Sequence, residues 1–204
     1  MAKQGRKPAH LCMQDGKDNR QRIWDVLRQY PEGISCYSVS RQTNITDETV
    51  RTYITCLRKG GFLERGDGIG DLAEFRLIKD TGAEAPRLRL DGTPSLQGRG
   101  TEAMWRTLRI LDSVNASELA TNASAASATS LATAKNYLKW LNWAGYLDLM
   151  APSQPGKQAR YRLKHGFYTG PHAPMIQRGG RLYDPNLGKV VFILKSEGIP
   201  ACAT

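Results

Sequence analysis

Residues 49–63 read TVRTYITCLRKGGFL, and residues 133–147 read TAKNYLKWLNWAGYL. Set 84 positions apart, the two stretches share Thr49 with Thr133, Tyr53 with Tyr137, Leu57 with Leu141, Gly61 with Gly145 and Leu63 with Leu147. Val50, Tyr53, Ile54 and Leu57 recur at the three-to-four spacing of one buried helical face, and Gly60-Gly61 supplies a stop. Ala134, Tyr137, Leu138 and Leu141 repeat that face, and Gly145 repeats the stop. Two related modules follow from this pattern. Arg22, Trp24, Val26 and Leu27 match Arg106, Leu108, Ile110 and Leu111 at the same offset of 84, which extends the repeat back to a first helix.

Outward from the first copy, Asn19 to Tyr30 carries an apolar stripe ended by Pro31-Glu32-Gly33. Ser35 is placed to cap a second helix running through Arg41. Thr46 is placed to cap the third helix, where Asp47 and Glu48 suit the positive end of the dipole. Phe62–Arg65 and Ala73–Ile78 read as strands around the turn Gly66–Gly70. In the second copy Thr101 opens a helix bearing Met104, Trp105, Leu108, Ile110 and Leu111. Ser117 caps a second helix, and Ser130 or Thr129 caps the third. The small-residue stretch Asn122–Thr129 is longer than the matching turn by four residues. Tyr146–Met150 and Ala159–Leu163 form the closing hairpin.

The expected class is mainly α with small β-hairpins (α+β). The order helix, helix, helix, hairpin over 17–79 resembles the winged helix-turn-helix fold, with the third helix as recognition helix and the hairpin as wing. That resemblance implies two such domains in tandem plus a C-terminal β-hairpin extension. The boundaries are a flexible basic arm at 1–16, domain 1 at 17–79, a linker at 80–100, domain 2 at 101–165, and an extended basic tail with a hairpin at 166–204.

A repeated scaffold with a divergent outer face points to two readers of different sequences. The changing positions are Arg51, Thr52, Thr55 and Arg58 in the first copy and Lys135, Asn136, Lys139 and Asn142 in the second. Such side chains donate to phosphates and to base edges in a major groove. The net charge of +10 favours a polyanionic partner. Most of the excess lies in residues 151–204, with 8 basic and 2 acidic residues. There Lys157, Arg160, Arg162 and Lys164 crowd the second hairpin, and alternate strand positions put the last three on one face as a phosphate clamp. Asp67, Asp71 and Glu74 oppose Arg65 and Arg76 in the first hairpin, so domain 1 docks by its helix alone or binds protein. Gly5-Arg6-Lys7-Pro8 reads as a flexible start.

The linker TGAEAPRLRLDGTPSLQGRG reads as a Gly/Pro tether with a short strand at Leu88–Leu90. In the tail, TGPHAP is extended, Asp184–Gly188 is a turn, and KVVFIL is a strand. A hairpin of this kind needs a partner surface, either domain 2 or another chain's sheet. The run GPHAPMIQRGGRLYDPNLGKVV (170–191) resembles the tail of small DNA-binding proteins of Mu-like transposable bacteriophages, which implies a phage or prophage origin and a bacterial cytoplasm.

Catalytic motifs are missing. There is no GxxxxGK[ST], GxSxG or HExxH, and the three histidines stand apart from any nucleophile or carboxylate pair. No metal or cofactor is expected. His10 and Cys12 match no zinc spacing, and Gly66–Asp71 lacks the ligands of a calcium loop. Cys36 and Cys56 read as free core thiols. No stretch approaches the roughly 20 apolar residues of a membrane span. The expectation is a non-enzymatic cytoplasmic protein whose partner is double-stranded DNA. The alternative is an adaptor in phage replication or transposition, with a protein partner held by domain 1 or the C-terminal hairpin.

Overall fold

The computed structural model describes residues 11, 13, 16–70, 73–194 and 200–202. The basic stretch at 5–8, His10, Cys12 and Asp71 lie outside them, as does nearly all of the expected arm at 1–16. The chain is mixed α+β, with six helices and small antiparallel sheets among the described residues. It divides into two compact units, residues 17–95 and residues 96–204 joined by the N-terminal stretch up to Gly16.

In the 17–95 unit, α1 (Asn19–Gln29), α2 (Cys36–Thr43) and α3 (Asp47–Lys59) pack around Trp24, Leu27, Val39, Val50, Ile54 and Leu57. Asp18 caps α1 through Gln21 N and Ser35 caps α2 through Ser38 N. Thr46 precedes α3 without a side-chain cap; its hydroxyl pairs with that of Thr49 instead. Gly61 ends α3 at a φ of +74, a conformation that suits a residue without Cβ, and Phe62 N returns to Leu57 O. Strands β1 (Ile34–Ser35), β2 (Leu63–Arg65) and β3 (Glu74–Leu77) form a sheet in the order β1-β3-β2.

The 96–204 unit repeats this order with α4 (Arg99–Ile110), α5 (Ala116–Ser124), α6 (Leu131–Trp143), β4 (Leu147–Ala151) and β5 (Arg160–Leu163). Gly145 ends α6 as Gly61 ends α3, with φ +79 and Tyr146 N bonded to Leu141 O. Val114 bridges Tyr161 where Ile34 pairs with Phe75. Three local expectations are corrected. Helix α4 begins at Arg99 after Gly98, not at a Thr101 cap. Asn115, not Ser117, caps α5, and it forms a reciprocal capping box with Glu118. Ile110 is 78% exposed at the end of α4 and belongs to no core. Ser130 caps α6 through Thr133 N.

The single offset of 84 does not hold. It fits α3 and α6, but the buried residues Ile23, Trp24 and Leu27 of α1 correspond to Met104, Trp105 and Leu108 of α4, 81 positions on. The longer connection between α5 and α6 brings the offset to 80 for α2 and α5, where Ser35 matches Asn115, and an α4–α5 connection one residue shorter than its counterpart brings it to 81.

The expected tether does not hang free. Its first part belongs to the 17–95 unit: Trp24 Nε1 donates to Gly82 O at 2.8 Å, Tyr53 OH to Pro86 O at 2.8 Å, and Arg28 pairs with Asp80 at 2.9 Å. Leu88 makes one bridge, to Pro94, rather than a strand. In the other unit Trp105 Nε1 donates to Gly170 O at 2.9 Å. The two acceptors lie in TGAEAP (81–86) and TGPHAP (169–174), so each hairpin is followed by a related strap that takes a buried indole N–H.

The tail forms a four-stranded antiparallel sheet, β6 (Met175–Gln177), β7 (Arg181–Asp184), β8 (Lys189–Leu194) and β9 (Pro200–Cys202), in chain order. Of the two expected placements, it packs on its own unit. Leu182 and Phe192 are fully buried in the core of α4–α6, with Phe192 5.7 Å from the Trp140 ring and 6.0 Å from that of Trp143. Asp184, also fully buried, accepts from Tyr146 OH at 2.5 Å and Thr169 OH at 2.7 Å, and from Asn186 N at 2.8 Å.

Candidate nucleic-acid interface

The inward faces of α3 and α6 come first, because they aim the outward ones. Tyr53 and Tyr137 are both buried, at 6% and 2% exposure. Burial pushes both phenols well above their ordinary range. With these rings inward, helical geometry turns the residues one to two positions away toward solvent.

On α3, Arg51, Thr52, Thr55 and Arg58 are all exposed. Thr52 spends its hydroxyl on Glu48 O at 2.8 Å. The face does not end at the helix. A cleft of about 310 Å³ opens between α3 and the β2–β3 hairpin, floored by Ile54, Ala73 and Phe75 and rimmed by Arg51, Arg58 and Arg65, with Thr55 between. Arg58 and Arg65 make no ion pair among the described residues. Arg65 was not among the expected binding residues, since its hairpin read as acidic. The register explains its place: Arg65 pairs with Phe75, a residue of the cleft floor. Of the acids counted against it, Glu74 is turned away. Its carboxylate lies against Gly33.

On α6, Lys135, Asn136 and Lys139 are exposed, while Asn142 is half-buried. Lys139 Nζ sits 4.4 Å from the centroid of the Trp143 ring, itself stacked on Phe192. Helix α6 therefore offers Lys135, Asn136 and Lys139, while Trp140 and Trp143 near its end pack on Phe192 of the C-terminal sheet.

Each of the three cations expected as a clamp along β5 lies beside an acid. Arg160 Nη1 meets Glu118 at 2.8 Å, and its Nη2 donates to Ser113 O at 3.1 Å. Arg162 meets Asp112 at 2.7 Å and Lys164 approaches Asp148 at 3.9 Å. The Val114–Tyr161 bridge lays the α4–α5 loop along β5, which brings Asp112 of the loop and Glu118 in the first turn of α5 beside Arg162 and Arg160, while Asp148 lies on the neighbouring strand β4. Their charge is compensated within the unit. Arg160 holds the Glu118 carboxyl below its ordinary range, helped by Asn115 N–H against the opposing effect of burial. Lys157 alone of the four stands exposed without an ion pair among the described residues, in the 154–157 turn.

Cys36 and Cys56 are buried and lie outside any disulfide, as expected. Among the described residues no group of three His, Cys, Asp or Glu side chains is disposed to hold a metal, and no helix is long and apolar enough to cross a membrane. No protein-family model matches this chain, and no curated protein matches it.

Proposed function

We propose that this protein binds double-stranded DNA through two winged helix-turn-helix modules, as a regulator reading an asymmetric, bipartite site. The observation that carries the reading is the α3 face. Arg51, Thr55 and Arg58 project beside Arg65 around one open cleft, so guanidinium and hydroxyl donors from a helix and a neighbouring strand converge on a surface that suits phosphate oxygens and base edges. Lys135, Asn136 and Lys139 give α6 a shorter and different set of donors. Two unlike readers on one chain favour a site without two-fold symmetry, whereas a homodimer of one reader favours a palindrome. The phage or prophage setting rests on the resemblance of residues 170–191. The role is one of binding, not catalysis.

Selection of duplexes from a random pool tests this reading. Recovery of one motif with two unlike halves supports it. Recovery of no enriched motif, with no duplex retained at low salt, contradicts it.

One observation favours a second reading, a protein adaptor. Ile69 at the β2–β3 turn is 91% exposed beside the acidic Asp67, an apolar tip suited to a protein surface. Ile69→Ser leaves DNA binding unchanged if the first reading holds, and abolishes capture of a phage replication or transposition protein if the second does.

A further inference from the structure

Of the eight basic residues in 151–204, three on β5 and its end are matched by acids, yet the segment is the most cationic in the chain. The uncompensated charge sits further on. Arg178 and Arg181 flank the Gly179-Gly180 turn of the β6–β7 hairpin, and Lys189 opens β8 on the same sheet. All three are exposed, and none makes an ion pair among the described residues. Asp184 is the one acid among residues 166–194, and it is fully buried with its oxygens turned to Tyr146, Thr169, Asn186 and Leu187. It therefore offers no competing carboxylate at the surface of the sheet.

We infer that the C-terminal sheet, through Arg178, Arg181 and Lys189, is the surface by which the 96–204 unit holds the DNA phosphate backbone, in place of the β4–β5 hairpin. The inference rests on the DNA-binding reading and relocates the phosphate contact within it. The occupant follows from charge complementarity. Phosphodiesters approaching β5 must compete with Glu118, Asp112 and Asp148, whereas those approaching the sheet meet Arg178, Arg181 and Lys189 with no exposed carboxylate among the described residues 166–194. Each phosphate neutralised releases counterions, so each lost contact lowers the dependence of log K on log salt by about 0.9. The sheet's packing supports a rigid contact, because Leu182 and Phe192 anchor β7 and β8 in the core.

The test uses the full chain and a fluorescent mixed-sequence duplex, titrated at several salt concentrations. The triple change R178A/R181A/K189A is compared with R160Q/R162Q, and circular dichroism checks that both remain folded. The expected result is a slope reduced by roughly 2 to 3 for the sheet variant and little changed for the β5 variant. A wild-type protein that binds, with a sheet variant of unaltered slope and affinity, overturns the inference and leaves the DNA-binding reading standing. A slope lost mainly in the β5 variant overturns it as well. A wild-type protein that does not bind the duplex at low salt overturns both. Should the triple variant unfold, the single changes R178Q and K189Q replace it, each expected to lower the slope by about 1.

Discussion

Trp24 and Trp105 occupy one position in two copies of a fold. Each is fully buried on the first helix of its unit, and each donates its indole N–H to a glycine carbonyl of the strap that follows the hairpin, Gly82 O at 2.8 Å and Gly170 O at 2.9 Å. The bond satisfies a polar atom that burial would otherwise leave unpaired, and it ties the end of the module back to its start. Trp24→Phe and Trp105→Phe keep most of the ring but leave that carbonyl without its donor. Each is expected to lower stability by about 1–2 kcal/mol. Urea denaturation followed by circular dichroism measures it; a loss below about 0.3 kcal/mol for both would show that the straps contribute nothing.

The turn that follows the first strap makes a second commitment at Gly92. Its φ is +86, and a Cβ there would lie 2.5 Å from the backbone carbon of Lys59 and 2.6 Å from Gly60 N. Gly92→Ala therefore combines left-handed strain with a backbone clash and is expected to cost about 2 kcal/mol or more. Limited proteolysis should then cut within 80–95 faster than in the wild type. An unchanged cleavage rate and midpoint would place the 87–95 turn away from α3.

Those straps mark how far the sequence could be read. The apolar face and glycine stop of α3 and α6 were legible because buried faces and left-handed stops tolerate few residue types. The register of the first helices was not. Leu108 and Leu111 matched the 84-residue offset well enough to hide the pairing of Trp24 with Trp105, which the longer α5–α6 connection and the shorter α4–α5 connection together move to 81. TGAEAP and TGPHAP stood in plain view, but one fell in a stretch rich in Gly and Pro and the other in a basic tail. The compensation of Arg160 and Arg162 was not legible at all, since Glu118 and Asp112 lie 42 and 50 residues away and meet them only through the fold. The placement of Arg65 on the α3 cleft had a signal in the short β2 strand directly after the helix stop, and the surrounding acids masked it.

The Tyr146–Asp184 bond holds the C-terminal sheet on its helices. Desolvation raises the Tyr146 phenol, and so does its hydrogen bond to the Asp184 carboxylate. The hydroxyl therefore stays protonated and donating throughout the physiological range. Tyr146→Phe removes one donor from a buried carboxylate and is expected to cost about 1.5–3 kcal/mol. Thermal unfolding measures the loss, and an unchanged melting temperature would mean that Thr169 and Asn186 alone satisfy Asp184.

The Arg160–Glu118 pair gives a pH dependence of stated sign. Glu118 is depressed in the folded state, so its contribution is present above the ordinary glutamate value and is lost as pH falls through the lower folded value. The pair is well exposed, so the effect is small. Glu118→Gln is expected to cost about 0.5 kcal/mol at pH 7. The gap between wild type and variant should close as pH falls below about 4. Melting temperatures from pH 2.5 to 7 test this, and a gap constant across the range would contradict it.

Two classes of substitution separate reading from holding. Arg58→Ala or Arg65→Ala is expected to weaken binding to all duplexes alike, each lowering the salt slope by about 1. Arg51→Ala or Lys139→Ala is expected to change which sequences are preferred, by about 1–3 kcal/mol at the affected base pairs. Competition assays with duplexes varied one base pair at a time distinguish the two classes.

The most direct measurement is the affinity of the full chain for duplex DNA as a function of salt, with R58A/R65A alongside. The account predicts tight binding at low salt, a steep linear fall of log K with log salt, and a shallower, weaker line for the double variant. Binding that ignores salt, or that survives the loss of both arginines unaltered, would contradict it.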